Sequence, residues 1–186
     1  MKPEFNIHVI SDNHLRHEAI NKLCHRGFRN LAEMDKTQIQ RWNQTVKPHD
    51  LVIHVGDYVW TQGESASIAE IIKSMNGRKV LIRGNHDRKS YAWYLANGID
   101  FICEKCTWDY NGKSILFIHN PNKVTAEELK NHKYIIHGHQ HNSTPFLTKK
   151  NKTTIINVSV EHLKYTPISL TTLLHRLGQG YYEKSQ

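Results

Sequence analysis

Five short apolar runs in this chain each end in residues of the types that bind metal ions. The endings are Ser11-Asp12-Asn13-His14, Gly56-Asp57, Gly84-Asn85-His86-Asp87, His119 and Gly138-His139-Gln140-His141. Carboxylate, amide and imidazole ligands together suit manganese, iron or zinc better than a metal that prefers thiolates. Each motif alone is common by chance, whereas the whole ordered set points to a metal-dependent hydrolytic centre.

The apolar runs that precede these endings have the pattern of buried β-strands. They are short, rich in β-branched residues and bounded by polar residues or glycine, over residues 7–10, 51–55, 80–82, 115–118 and 134–136. Strands of one sheet bring the residues that follow them to a common edge, where ligands bind in open α/β folds. We therefore expect the five endings to converge.

The remaining chain predicts how this edge is built. Helices are predicted over residues 17–25, 30–47, 67–76, 90–97 and 126–131. Ser67 and Glu70 have the spacing of a capping box. Further strands are predicted over residues 107–110, 113–119, 143–148, 153–160 and 168–170. This order predicts one α/β domain over residues 1–186, a sandwich with mixed sheets, whose polar tail at 178–186 frays.

Composition limits the class of protein. The 186 residues include 25 Lys and Arg against 17 Asp and Glu, which gives a formal charge of +8. No apolar stretch approaches the ~20 residues of a membrane span, and the N-terminus lacks a signal-peptide pattern. We therefore expect a cytoplasmic protein with no membrane partner. The positive charge favours phosphate-bearing substrates or nucleic acid, although dispersed basic residues are equally typical of an ordinary soluble surface.

With these motifs in hand, the chain resembles the calcineurin-like metallophosphoesterase superfamily. The pattern of that family runs DxH, GD, GNH followed by Asp or Glu, then H and GHxH, and each element is present here. Residues 17–28, 42–43 and 157–161 further resemble a compact bacterial and bacteriophage branch, so the likeness covers roughly residues 5–170. The resemblance implies a four-layer α/β/β/α sandwich with two mixed β-sheets, and a metal-dependent phosphodiesterase or phosphatase.

The same resemblance implies seven metal ligands around two divalent ions. One ion would be held by Asp12, His14, Asp57 and His141. The other would be held by Asp57, Asn85, His119 and His139, with Asp57 as the bridge. Manganese is the expected metal, with iron, zinc or nickel as alternatives. A hydroxide shared by ions about 3.5–4 Å apart would attack phosphorus in line.

Five further residues have predicted roles beside the metals. His86 is the non-ligand histidine of the GNH motif, and it would stabilise the phosphoryl oxygens or protonate the leaving group. Asp87 would either orient His86 or support a metal ligand by contacting it on the side away from the ions. His17 and Arg26, in the segment shared with the compact branch, are the candidates to bind substrate, together with Asn120. For each of these three, a packing or surface role stays open.

The segment after Asp57 limits the class of substrate that we expect. The protein-phosphatase branch carries GDxxDRG, whereas Trp60 and Thr61 stand at the last Asp and Arg of that motif here. We therefore expect small, nucleotide-like phosphodiesters or phosphomonoesters as substrates rather than phosphoproteins. One alternative is a nuclease that holds DNA or RNA on the basic surface. Another is a binding module without catalysis, which the presence of every ligand position and of His86 disfavours.

Overall fold

Two five-stranded sheets form the centre of this computed structural model, which describes residues 5–60, 62 and 65–179. The first sheet contains β1 (Ile7–Ile10), β2 (Leu51–His54), β3 (Arg78–Ile82), β4 (Phe101–Cys103) and β10 (Ile168–Ser169). Its order is β10-β1-β2-β3-β4, in which β1 to β4 are parallel and β10 is antiparallel. The first sheet is therefore mixed.

The second sheet is mixed as well. It contains β5 (Lys105–Tyr110), β6 (Lys113–Ile118), β7 (Tyr134–His137), β8 (Leu147–Lys150) and β9 (Thr153–Asn157). Its order is β5-β6-β7-β9-β8, with β6, β7 and β9 parallel and the two outer strands antiparallel. Ser11 pairs in parallel with Ser159, which joins the two sheets at the edge where the predicted ligands lie.

Helices cover the outer faces of the two sheets, except the last, which packs against the core between them. They are α1 (Glu18–Leu23), α2 (Leu31–Thr45), α3 (Ser65–Ser74), α4 (Tyr91–Ala96), α5 (Ala126–Asn131) and α6 (Leu170–Gly178). Trp42 of α2 and Ile72 of α3 pack on the outward side chains of the first sheet, such as Val52. Leu129 of α5 packs on the outer face of the second sheet. The predicted α/β/β/α sandwich is thus confirmed.

The core between the sheets explains why the parallel strands are continuous apolar runs. In β2, Ile53 belongs to the cluster between the two sheets, whereas its neighbour Val52 lies under the helices. A strand that is buried on both faces needs apolar residues at successive positions. The central strands β1, β2, β6 and β7 satisfy this requirement, and they are the strands that precede most of the predicted ligands.

Several predicted boundaries were wrong. Helix α3 begins at Ser65, so Ser67 and Glu70 lie inside the helix and do not form its cap. The strand expected over 143–148 is displaced to β8, because His141–Ser143 forms a 3-10 turn. Residues 158–160 leave β9 and cross to the first sheet. The predicted fraying of the tail falls, beyond Gln179, outside the described residues.

The pattern of leucines that defines α6 was missed in the sequence. Leu170, Leu173 and Leu174 are buried in the core between the sheets, at the spacing of one helical face. Ser169 accepts a hydrogen bond from the backbone N–H of Thr172 and caps this helix. Among the described residues, each helix is too short or too polar to cross a membrane.

Candidate metal centre

The backbone at the ends of the strands adopts a conformation that side chains rarely allow. Five of the seven predicted ligands have a positive φ: 59° at Asp12, 47° at His14, 56° at Asp57, 71° at His139 and 47° at His141. The left-handed region costs a non-glycine residue about 1–2 kcal/mol, and such residues cluster at functional sites. The fold therefore holds five strained residues together at one edge.

Two glycines allow the strand ends to approach one another. A Cβ atom at Gly84 would lie 2.1 Å from Asp57 Oδ1, and a Cβ atom at Gly138 would lie 2.3 Å from Asp12 Oδ2. Both distances are far below van der Waals contact. Each glycine precedes a predicted ligand in its GN or GH motif, so these motifs need glycine for close packing against a neighbouring carboxylate.

The structure brings all seven predicted ligands into one cluster. Among the predicted ligands, two groups have ligand atoms that all lie within 4.8 Å of one another. The first group is Asp12, His14 and His141, and the second is Asp57, His119 and His139. Asn85 joins the second group, because its Oδ1 lies 3.2 Å from His119 Nε2. We call Asp12, His14 and His141 the inner half, and Asn85, His119 and His139 the outer half.

Asp57 lies between the two halves. Its Oδ2 is 3.4 Å from His14 Nε2 in the inner half and 3.3 Å from His119 Nε2 in the outer half. Its Oδ1 accepts a hydrogen bond of 2.8 Å from the backbone N–H of His86. One carboxylate therefore faces imidazole nitrogens from both groups, as a bridging ligand must.

The buried polar atoms of the cluster fit metal ions. His14 Nε2 is buried and has no hydrogen-bond partner among the residues that the structure describes, although two carboxylates face it. A buried imidazole nitrogen is costly unless something satisfies it. Divalent cations that take oxygen and imidazole ligands would satisfy this nitrogen and neutralise the carboxylates. The donor set therefore agrees with the predicted metal site.

Charges within the cluster support one another. Burial lowers the pKa of His119, but the carboxylates of Asp57 and Asp12 outweigh it and raise the pKa to about 9. Burial also lowers the pKa of His141, yet contacts with Cys24 and Glu161 raise it to about 10. Burial raises the pKa of Asp12, but His119 and His141 bring it below its usual range. The Asp12 carboxylate thus stays charged, as a ligand of a divalent cation would be.

A buried ion pair supports the inner half from behind. Glu161 Oε1 accepts hydrogen bonds from Arg26 Nε at 2.9 Å and from His141 Nδ1 at 3.1 Å. Arg26 also donates to the backbone oxygens of Asp12 at 2.6 Å and Asn13 at 2.9 Å. Glu161 therefore directs the other nitrogen of His141, Nε2, toward Asp12.

The prediction that Arg26 binds substrate does not agree with this geometry. Its side chain is completely buried, and its donors are directed at Glu161 and at two backbone oxygens. The guanidinium braces the ligand loop and does not face a substrate. Glu161 was missed as a functional residue, and its only signal in the sequence was its place in the 157–161 segment of the compact branch.

A second buried network lies behind the same half. Asn13 Nδ2 donates to Gln38 Oε1 at 3.0 Å, and Gln38 Nε2 donates back to the backbone oxygen of Asn13 at 3.1 Å. Because Asn13 Oδ1 can only accept, His54 Nε2 donates to it, at 2.8 Å. Burial lowers the pKa of His54 to about 3, so the ring is neutral.

Asp87 ties together the two loops that carry Asp57 and Asn85. Its carboxylate accepts backbone hydrogen bonds from Asp57 and Gly84, both at 2.8 Å, and from Tyr58 at 3.1 Å. Burial and the charge of Asp57 raise the pKa of Asp87 to about 6. Two roles were predicted for Asp87. These bonds correspond to the second, in which Asp87 supports the loops that carry the metal ligands.

His86, His17 and Trp60 form an aromatic rim on one side of the cluster. The His86 ring centroid lies 5.2 Å from that of His14 and 5.0 Å from that of Trp60. His17 stacks on Trp60 with centroids 3.9 Å apart and planes within 10°. His17 Nδ1 also lies 3.3 Å from His14 Nδ1. Both predicted non-ligand histidines are therefore close to the metal site.

The outer half opens into a cleft of about 450 Å³. Asn85, His119 and His139 line it, and so does Asn120, the third residue predicted to bind substrate. Asn120 also caps the 3-10 turn Pro121–Lys123 by accepting a hydrogen bond of 2.9 Å from the backbone N–H of Asn122. Three sides of the site are thus distinct: the braced inner half, the aromatic rim and the cleft.

Comparisons with known proteins agree with this geometry. Residues 5–161 match the calcineurin-like phosphoesterase superfamily domain. The uncharacterized protein MJ1445 of Methanocaldococcus jannaschii is 35% identical over 178 residues, which cover 94% of this chain and 92% of that relative. The crystal structure of AQ665, a protein of unknown function from Aquifex aeolicus, is 26% identical with a TM-score of 0.71, covering 91% of this chain and 98% of that one. The chain therefore belongs to the calcineurin-like phosphoesterase superfamily, whose activity is metal-dependent hydrolysis of phosphoesters.

Proposed function

We propose that this protein hydrolyses phosphodiesters or phosphomonoesters of small, nucleotide-like molecules with two divalent metal ions that Asp57 bridges. The observation that carries the proposal is the position of the Asp57 carboxylate. Its Oδ2 lies within 3.4 Å of one imidazole nitrogen from each half of the cluster. A site for a single ion would not need ligands on both sides of one carboxylate oxygen.

The ligands divide between the two ions as the two halves do. One ion would be held by Asp57 together with the inner half, and the other by Asp57 together with the outer half. Manganese suits this mixture of carboxylate, amide and imidazole ligands. When bound, two divalent ions polarise the phosphoryl oxygens and lower the pKa of water to near neutrality.

Side chains beside the metal ligands would position the bridging carboxylate, supply a proton and contact the substrate. The backbone N–H of His86 holds Asp57 Oδ1, which keeps the bridging carboxylate in place. The half-buried His86 ring stands beside His14 at the rim of the site. From there it donates a proton to the oxygen of the leaving group or a hydrogen bond to a phosphoryl oxygen. His17 and Trp60 extend the same rim and offer a flat aromatic surface to the organic part of the substrate.

Metal binding and turnover test this proposal together. Titration with Mn²⁺ should show two bound ions per chain, and the loaded protein should hydrolyse bis-p-nitrophenyl phosphate or p-nitrophenyl phosphate. His86→Ala should retain both ions but lose about 10²-fold or more in kcat. The matched control is His175→Ala, at an exposed position in α6, which should behave as the wild type. A single bound ion, or no hydrolysis with Mn²⁺, Ni²⁺ or Zn²⁺, would contradict the proposal.

A further inference from the structure

The cleft beside the outer half carries an excess of positive charge. Four cationic side chains line it: Arg83, Arg88, Lys105 and Lys123. Two carboxylates, Glu104 and Asp87, are among its other lining residues. The Asp87 carboxylate is buried and accepts three backbone N–H groups, so it is committed to the ligand loops. Glu104 is therefore the main acidic counterpart within the cleft.

The existing ion pairs leave this excess in place. Glu104 lies 3.5 Å from Arg83 and accepts a hydrogen bond of 2.6 Å from Tyr91, so its charge is shared. Lys105 pairs with Glu128, with more than half of the lysine side chain exposed. Arg88 and Lys123 line the cleft at exposed positions, and Arg88 Nε also donates to the backbone oxygen of Asn85 at 3.4 Å. An incoming anion thus meets cationic groups on several sides.

These cations come from both sheets. Arg83 and Arg88 belong to the loop after β3, which also carries Asn85 and His86. Lys105 begins β5, and Lys123 ends the 3-10 turn that follows β6 and His119. The cleft is therefore assembled only when the two sheets pack together, directly beside three of the predicted metal ligands.

Hydrolysis of the scissile phosphate at the metal ions does not require the four cationic side chains of the cleft. Two divalent ions against Asp12 and Asp57 would already leave a positive centre for one phosphate. A cleft of about 450 Å³ is also far larger than a phosphate group and falls in the range of sites for small organic ligands. The additional cations therefore match a second anionic group on the same substrate.

We propose that the substrate is a small organic phosphoester with a second phosphate, and that this phosphate binds in the cleft lined by Arg83, Arg88, Lys105 and Lys123. The inference rests on the proposed function, since it places the scissile phosphate at the metal ions. The second phosphate fixes the direction in which the substrate lies across the outer half. The rest of the molecule then extends between the cleft and the aromatic rim.

A matched pair of chromogenic diesters tests this subsite. Thymidine 5′-(p-nitrophenyl phosphate) carries one phosphate, and its 3′-phosphorylated counterpart carries two. With Mn²⁺, the wild type should have a KM about tenfold lower for the 3′-phosphorylated ester, because each charged hydrogen bond is worth about a factor of ten or more. Lys123→Glu should reduce this KM ratio toward one. Lys130→Gln, at an exposed position in α5, is the control and should keep the ratio.

Direct binding separates failure of the subsite from failure of the function. Calorimetry should show thymidine 3′,5′-bisphosphate binding about tenfold more tightly than thymidine 5′-monophosphate, with the difference lost in Lys123→Glu. Equal KM values and equal affinities would overturn the subsite, while hydrolysis of both esters would leave the proposed function intact. If neither ester is hydrolysed, the proposed function fails and calorimetry alone decides the subsite. Tighter, steeply salt-dependent binding of oligothymidylate than of the bisphosphate would overturn the small-molecule substrate in favour of a polymer.

Discussion

The inner and outer halves of the metal centre share one carboxylate but are supported in different ways. Asp12 and His14 are almost fully buried, and their loop is held by the Arg26–Glu161 pair and by the Asn13–His54–Gln38 network. In the outer half, Asn85 is exposed and His139 is half-buried, and the cleft opens beside them. His119 of the outer half is also buried and His141 of the inner half is half-buried, so the halves differ mainly in the polar network behind the inner ligands and in the cleft beside the outer ones.

A hydrolytic metal site must hold its ions at fixed positions and also leave space for the substrate, and the two halves differ in which of these they favour. Ligands that are locked by buried hydrogen bonds hold an ion at fixed geometry and exclude water. Ligands at the border of a cleft leave space for a phosphate to approach. We propose that the inner half holds its ion at a fixed position and that the outer half admits the substrate. Asp57, as a ligand common to both halves, would fix the distance between them.

The largest effect is expected from the residue that the two halves share. Asp57→Asn removes the bridging charge, so kcat/KM should fall by about 10³-fold or more, equivalent to several kcal/mol of lost charge stabilisation. Steady-state kinetics with Mn²⁺ measures this loss, and calorimetry should show weaker binding of both ions. Asp109→Asn, at an exposed position of β5, is the matched control. A variant that keeps both ions and most of its turnover would show that Asp57 does not link the halves.

Close packing against Asp57 gives the next effect. Gly84→Ala places a Cβ atom 2.1 Å from Asp57 Oδ1, so the carboxylate or the loop must shift. A displacement of about 1 Å at a reacting centre can cost about 10²-fold in rate, and we expect a loss of this size in kcat/KM. Gly178→Ala is the control, because nothing lies within 4 Å of its added Cβ. Unchanged kinetics in Gly84→Ala would mean that the outer loop is not held against the bridge.

Removal of the inner support should act on one ion alone. Glu161→Gln leaves the Arg26 charge buried without its carboxylate and weakens the orientation of His141. We expect the affinity of one Mn²⁺ site to fall about 10–100-fold, with the other nearly unchanged. The free energy of unfolding of the same variant should be lower by about 3–5 kcal/mol, so it should unfold at a lower urea concentration. Metal titration and urea unfolding measure the two effects, with Glu127→Gln on the exposed face of α5 as control. Equal weakening of both ions would contradict a division into halves.

The smallest effect concerns the pH dependence of stability. Burial lowers the pKa of His54 from 6.5 to about 3, so between these values the unfolded chain binds a proton that the native protein does not. Stability is therefore lost as the pH falls from about 6.5, by up to about 1.4 kcal/mol per pH unit. His54→Gln should flatten this dependence in urea unfolding between pH 6 and 4, whereas His175→Gln should not. An unchanged slope in His54→Gln would place the titrating group elsewhere.

Much of the fold could be predicted because its signals are local. The β-branched runs before Ser11, Gly56 and Gly84 indicate strands from neighbouring residues alone, and they lie close to the observed strands. Helix α6 was missed although its leucines have helical spacing, because only the core between the sheets shows which face they bury. The start of α3 was misplaced because capping-box spacing at Ser67 occurs by chance inside helices.

The candidate donors, the order of the motifs and the family could be read from the chain alone, because each candidate donor follows a strand and each GN or GH glycine stands beside its ligand. The fold was needed to see which polar residues lie buried behind the candidate metal centre and which line the cleft. Arg26 and Glu161 are 135 residues apart and meet only in the folded protein, where burial makes them a brace. The cleft likewise exists only between the two packed sheets. Burial and charge at such places depend on contacts between distant segments, and no local pattern records them.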